Sequence, residues 1–121
     1  MRKILTAATL AVSIVASLVA QSGQVYKPGK DGVKAPVLIK EVKPHYTDSA
    51  KARGVQGSVE MAVIVQTDGT VGDEVRVTKS LDPDLDQEAI VALRQWRFKP
   101  GTKDDKPVDV EVNIEMTFTL K

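Results

Sequence analysis

The chain has 121 residues, with 17 basic and 16 acidic side chains, one histidine and no cysteine. A chain of this length bounds the fold to one modest domain, and the missing cysteines exclude both disulfide support and thiolate metal sites. All 16 acidic residues and 15 of the 17 basic ones lie beyond position 20, so the body of the chain is close to neutral and carries no nucleic-acid footprint.

Arg2 and Lys3 precede an uncharged run from Ile4 to Ala20 that is rich in Ala, Val, Leu and Ile, followed by Gln21, Ser22 and Gly23. Residues 1–22 therefore read as a signal peptide for export, with cleavage after Ala20 or Ser22. The competing reading is a short N-terminal membrane anchor, because this uncharged, mostly apolar run of 17 residues sits at the low end of what spans a bilayer core of about 30 Å. Residues 23–36 are polar and basic and are punctuated by Gly and Pro, the composition of a flexible linker. Lys27, Lys30 and Lys34 within it are read as solvated tether rather than as a binding patch.

The folded domain is expected over residues 37–121. Val37, Leu38 and Ile39 form a short strand or arm that ends before Pro44, which biases Lys43 to an extended conformation. Thr47 or Asp48 caps a short helix through Ser49, Ala50, Lys51, Ala52 and Arg53, and Gly54 supplies a left-handed stop. Tyr46 stands at the entrance of that helix, its ring packed inward and its hydroxyl in water. Val55, Val59, Met61, Val63 and Val65 occupy odd positions, with Gln56, Ser58, Glu60 and Gln66 between them, and predict the first long strand over Val55 to Gln66. Asp68-Gly69 then predicts a tight hairpin turn, with a return strand from Val71 to about Ser80.

From Asp82 the period changes. Leu85, Ala89, Ala92, Leu93 and Trp96 form one stripe of a helix, with Asp82, Asp84, Asp86 and Glu88 in its first turns and Asp84 with Gln87 as a capping box. Trp96 and Phe98 anchor its end on the sheet, and Pro100-Gly101 turns the chain. From Val108 to Leu120 apolar and polar residues alternate without a miss, which only a half-buried strand explains. Thirteen residues make a strand roughly 43 Å long, so it is expected to overhang its partners and to offer unpaired backbone groups.

The residues that carry chemistry elsewhere have plainer readings here. Trp96 and Phe98 beside Arg94, Arg97 and Lys99 resemble a stacking platform for single-stranded nucleic acid, but the near-neutral domain favours a core anchor flanked by solvated charge. His45 stands alone without a converging carboxylate motif, and no nucleophile elbow or phosphate loop is present. An enzyme and a cofactor are therefore not expected.

The ordered set Pro44-x-Tyr46, Ala50, Gly54-x-x-Gly57-x-Val59, Asp68-Gly69-x-Val71, Ser80, Leu85-Asp86, Ala89, Ala92, Trp96-x-Phe98-x-Pro100, Pro107-Val108 and Val112-x-Ile114-x-Met116-x-Phe118-x-Leu120 resembles the C-terminal domain of TonB-family energy transducers. The resemblance covers roughly Val37 to Lys121. It implies a periplasmic α+β domain with a three-stranded antiparallel sheet packed on two helices, preceded here by the short N-terminal strand or arm. It also implies capture of an extended peptide, the TonB box of an outer-membrane receptor, by strand addition, in support of transport across the outer membrane. The positions that match the contacting regions are Lys43, Pro44, His45 and Tyr46 and, on the last strand, Asn113, Glu115, Thr117 and Thr119. The expected location is the periplasm, or the inner membrane if residues 1–22 are retained. The partner is a TonB-dependent receptor or another periplasmic protein, and the alternative is an intertwined homodimer formed through the same edge. The apolar segment has no histidine, and the 16 residues from Gln21 to Pro36 reach at most about 55 Å, so engagement of an inner-membrane motor finds no support in these residues.

Overall fold

The computed structural model describes residues 24–121. The expected signal peptide or anchor of residues 1–22 lies outside the described residues.

Strand β4 (Gly57–Val65) and strand β9 (Asp109–Phe118) form the centre of the fold. They run antiparallel in unbroken register, from Gly57 opposite Phe118 to Val65 opposite Val110. Alternation decides which side chains go inward. Val59, Met61, Val63 and Val65 of β4 and Val110, Met116 and Phe118 of β9 are buried. Strand β5 (Arg76–Lys79) pairs antiparallel on the far side of β4, and strand β1 (Val25–Tyr26) pairs parallel on the far side of β9. The sheet order is therefore β1-β9-β4-β5, the expected three antiparallel strands plus one two-residue addition.

The helices cover the inner face. Helix α1 (Asp48–Ala52) is capped by Thr47, whose hydroxyl accepts from the Ala50 N–H at 3.1 Å, and Gly54 follows it at φ 69° as the left-handed stop. Helix α2 (Pro83–Leu93) lays Leu85, Ala89, Ala92 and Leu93 onto the sheet, and Trp96 remains buried one turn after the helix ends. Its cap is Asp82 rather than the expected Asp84–Gln87 pair. The Asp82 carboxylate accepts from the N–H groups of Asp84 and Leu85, with Pro83 at the first helical position, where a missing N–H costs nothing. Arg53, which caps the end of α1, donates to both oxygens of Asp82 at 2.7 and 3.3 Å, so one buried carboxylate joins the two helices. That fork holds the Asp82 carboxyl below the usual carboxylate range.

Three sequence expectations change at the periphery. The last strand does not overhang by more than a residue: β4 pairs with it from Val110 to Phe118, so its unpaired groups lie along the side and not at an end. The return strand after Asp68-Gly69 is interrupted, with a single bridge between Val65 and Val71 before β5 forms with a register shift at Glu60/Met61. Residues 23–36, expected as linker, include β1 and also strand β2 (Val33–Lys34), which pairs with strand β7 (Thr102–Lys103) and buries Val33 to 4% exposure. Strand β7 in turn pairs with strand β8 (Lys106–Pro107), while strand β3 (Val37–Lys40) pairs antiparallel with strand β6 (Arg97–Lys99).

Candidate functional site

Residues 41–46 lie outside the named strands, and within them Pro44 offers no N–H and biases Lys43 to an extended conformation. Two side chains hold that segment in place. At one end the Trp96 indole Nε1 donates to the Val42 carbonyl at 2.8 Å. At the other, the Tyr46 ring meets Phe118 edge-on at 5.4 Å, and the Tyr46 hydroxyl donates to the Val55 carbonyl. The hydroxyl expected in water is therefore bonded to the protein, a better use of a half-buried polar group.

The result is a groove of about 440 Å³ between residues 41–46 and the end of β9. Glu41, Lys43, Pro44 and Tyr46 line one side, Trp96 contributes from beyond α2, and Glu115, Met116, Thr117, Phe118 and Thr119 line the other. Residues from both faces of β9 line the groove, and none comes from β4. It therefore runs along the outer edge of β9. Among the described residues, β1 pairs only with Asp109 and Val110, and no strand pairs with that edge from Val112 to Phe118. Seven residues at about 3.4 Å each leave roughly 24 Å of backbone open.

Of the eight site residues expected from the sequence, Lys43, Pro44, Tyr46, Glu115, Thr117 and Thr119 come together on the groove. His45 does not: it is exposed and absent from the lining. Asn113 lies on β9 outside the groove, opposite Ala62. Sequence reasoning missed Glu41, Trp96, Met116 and Phe118 as lining. The last three read as core, and all three are buried. Only the place where the 41–46 segment leaves the sheet makes their edges also the floor of a groove. The same burial removes Trp96 and Phe98 as a nucleic-acid stacking platform.

The arrangement suits one kind of chemistry. An open edge offers N–H and C=O groups from alternate residues to an extended chain, and the flanking groove receives every second side chain of that chain. Glu41, Lys43 and Glu115 put both signs of charge on the rim.

A model of the Gram-negative bacterial TonB protein C-terminal matches residues 42–120. This chain belongs to the TonB C-terminal family. It is 31% identical over 90 residues to protein TonB of Vibrio cholerae, covering 74% of this chain and 37% of that one. It is 36% identical over 78 residues to protein tonB2 of Pseudomonas aeruginosa, covering 64% of this chain and 28% of that one. The solution NMR structure of the Pseudomonas aeruginosa TonB C-terminal domain superposes with a TM-score of 0.59 at 25% identity, covering 78% of this chain and 93% of that one. The TonB-type α+β fold is therefore shared, while this chain spans little more than a third of the Vibrio relative and less of the Pseudomonas one. Strands β1, β2 and β3 precede the residues that the TonB family model matches. Among the described residues no helix is long and apolar enough to cross a membrane.

Proposed function

We propose that this TonB-type domain captures an extended peptide of an outer-membrane receptor by taking it as an added strand on the outer edge of β9, and so serves TonB-dependent transport from the periplasm. The observation that carries the reading is the open backbone of Val112–Phe118 beside a groove walled by residues 41–46. Main-chain hydrogen bonds to that edge supply affinity. Lys43, Pro44, Tyr46, Glu115, Thr117 and Thr119 meet the side chains of the peptide. A net gain of about 0.5–1.5 kcal/mol per hydrogen bond makes even a short added strand measurable, before the cost of ordering the peptide.

The test is a titration of the isotope-labelled chain with a synthetic receptor-box peptide. Amide signals of Val112–Phe118 and of Lys43–Tyr46 are expected to move together and to saturate. Unmoved signals on β9 at excess peptide would sink the reading. The same edge also fits a second copy of the chain, since one open strand can pair with another antiparallel to it. Sedimentation over a concentration series separates the two: a monomer throughout leaves peptide capture alone, and self-association that peptide does not reverse favours the homodimer.

A further inference from the structure

The outer edge of β9 is open for only part of its length, and what closes the rest is the chain's own N-terminal arm. Val25 and Tyr26 lie parallel to Asp109 and Val110. Beyond them, Lys27 reaches the next residue of β9, its Nζ 3.0 Å from Glu111 Oε1. Tyr26 is held from outside as well, with the Lys103 ammonium 4.9 Å from its ring centroid. Beside Lys27 and then Arg76, the Glu111 carboxyl is held below its usual range, as expected of a contact formed in its charged state.

The arm cannot continue along β9. Pro28 has no N–H to give, and Gly29 and Gly32, at φ 78° and 74°, turn the chain back. The Gly29 N–H donates to Val33 and the Val33 N–H to Lys30, at 3.0 and 2.9 Å, and the chain then enters the β2–β7 pair. An arm fixed on both sides of that turn divides the edge at Glu111. Asp109 and Val110 are paired, the Glu111 side chain is tied to Lys27, and Val112 to Phe118 are open. Neighbouring strands lie about 4.8 Å apart, so two chains cannot occupy the same length of backbone.

We propose that Val25–Lys27 is a built-in stop that fixes the length and register of the strand added beside it, limiting a captured peptide to about seven paired residues opposite Val112–Phe118. The inference rests on the capture reading above. Its consequence is specificity. A slip of one residue sends every side chain to the opposite face, so a fixed end decides which residues of the peptide enter the groove beside Tyr46 and Phe118. The segment that does this lies before the residues shared with the TonB family model, so it is this chain's own N-terminal sequence that would set the limit.

The test uses the whole chain and two synthetic peptides of alternating valine and threonine, seven and eleven residues long. The release variant is Tyr26→Gly with Lys27→Glu, which removes the ring under Lys103 and sets a carboxylate against Glu111. Lys27→Gln alone is the milder control, since it keeps the side chain's reach and drops its charge. Wild type is expected to bind both peptides within about twofold, and the release variant to bind the longer one roughly tenfold tighter, through the two or three hydrogen bonds it uncovers. In the free protein, amide exchange at Val110 and Glu111 is expected to quicken by about tenfold on release. A wild type that already prefers the longer peptide tenfold, or a release variant with unchanged exchange at those amides, overturns the stop. Failure of the stop alone leaves both proteins binding peptide; failure of the capture reading leaves neither binding either peptide, and the stop falls with it.

Discussion

The two edges of this sheet are treated in opposite ways. At the β5 edge the chain presents four residues, Arg-Val-Thr-Lys, with Arg76, Thr78 and Lys79 exposed, a register shift against β4 at Glu60/Met61, and Lys79 within 3.8 Å of Glu60. Shortness, a bulge and charge are the devices by which natural sheets discourage further pairing. At the β9 edge the strand is ten residues long and in unbroken register with its inner neighbour. Its outer side is left open beyond Glu111 and is bordered by a held segment and a groove. The contrast teaches that openness alone is not the signal of a binding edge, since both edges are unpaired over some length. A binding edge is one that is long, regular and walled.

The harshest way to break the contrast is to remove the wall's floor. Phe118→Ala deletes the partner of Tyr46 and a side chain buried to 3% exposure, and is expected to cost about 3–5 kcal/mol in urea unfolding. A loss under about 1 kcal/mol would mean that the Tyr46–Phe118 contact does not hold the segment. Trp96→Phe is gentler. It keeps most of the ring and removes the bond to the Val42 carbonyl, for an expected loss of about 1 kcal/mol, with faster amide exchange confined to residues 41–46. Unchanged exchange there would show that the wall stands without that bond.

The comparison is sharpened from the other side by making β5 resemble an unprotected edge. Arg76→Val with Lys79→Val is expected to produce association that rises with concentration in sedimentation, while folding free energy stays within about 0.5 kcal/mol. A double variant that stays monomeric at millimolar concentration would assign the bluntness of this edge to its bulge and length rather than to its charge. The smallest effect acts on both edges alike, through the helices behind them. Asp82 has a carboxyl pKa lowered by Arg53 in the fold, so its contribution is complete above the unfolded value of about 3.9 and is lost as pH falls through the folded value. Thermal melts should be level from pH 7 to about 5 and decline below, and Asp82→Asn should flatten that decline. An identical decline in the variant would assign the acid sensitivity to other carboxylates.

Much of this could be read from residue types. The alternation through Val59, Met61, Val63 and Val65 and again through Val110, Met116 and Phe118 requires strands with one buried face, and both are there. Thr47 caps the first helix and Gly54 ends it as expected, because a cap is a contact between residues three or four apart. Several of the misses involve contacts beyond the neighbouring turn. Asp82, not Asp84, caps the second helix, and its pairing with Arg53, 29 residues away, could not be read locally. The Tyr46 hydroxyl found the Val55 carbonyl only because α1 and its stop bring the chain back.

Periodicity by itself determined the two long strands and the second helix and which of their faces are buried, since the hydrophobic effect acts on spacing along the chain. Even Gly69 was readable as a turn residue, and its φ of 87° agrees. Tertiary structure alone decided what stands beside each element. A Cβ on Gly69 would lie 2.0 Å from the Phe98 carbonyl oxygen, a close approach between segments 29 residues apart that no local pattern announces. It likewise decided that residues 25–27 close the start of the β9 edge while residues 41–46 wall its end. Pairing partners are chosen by distance in space and by backbone groups that every residue carries, so the alternation of side chains names the faces of a strand and is silent about its edges.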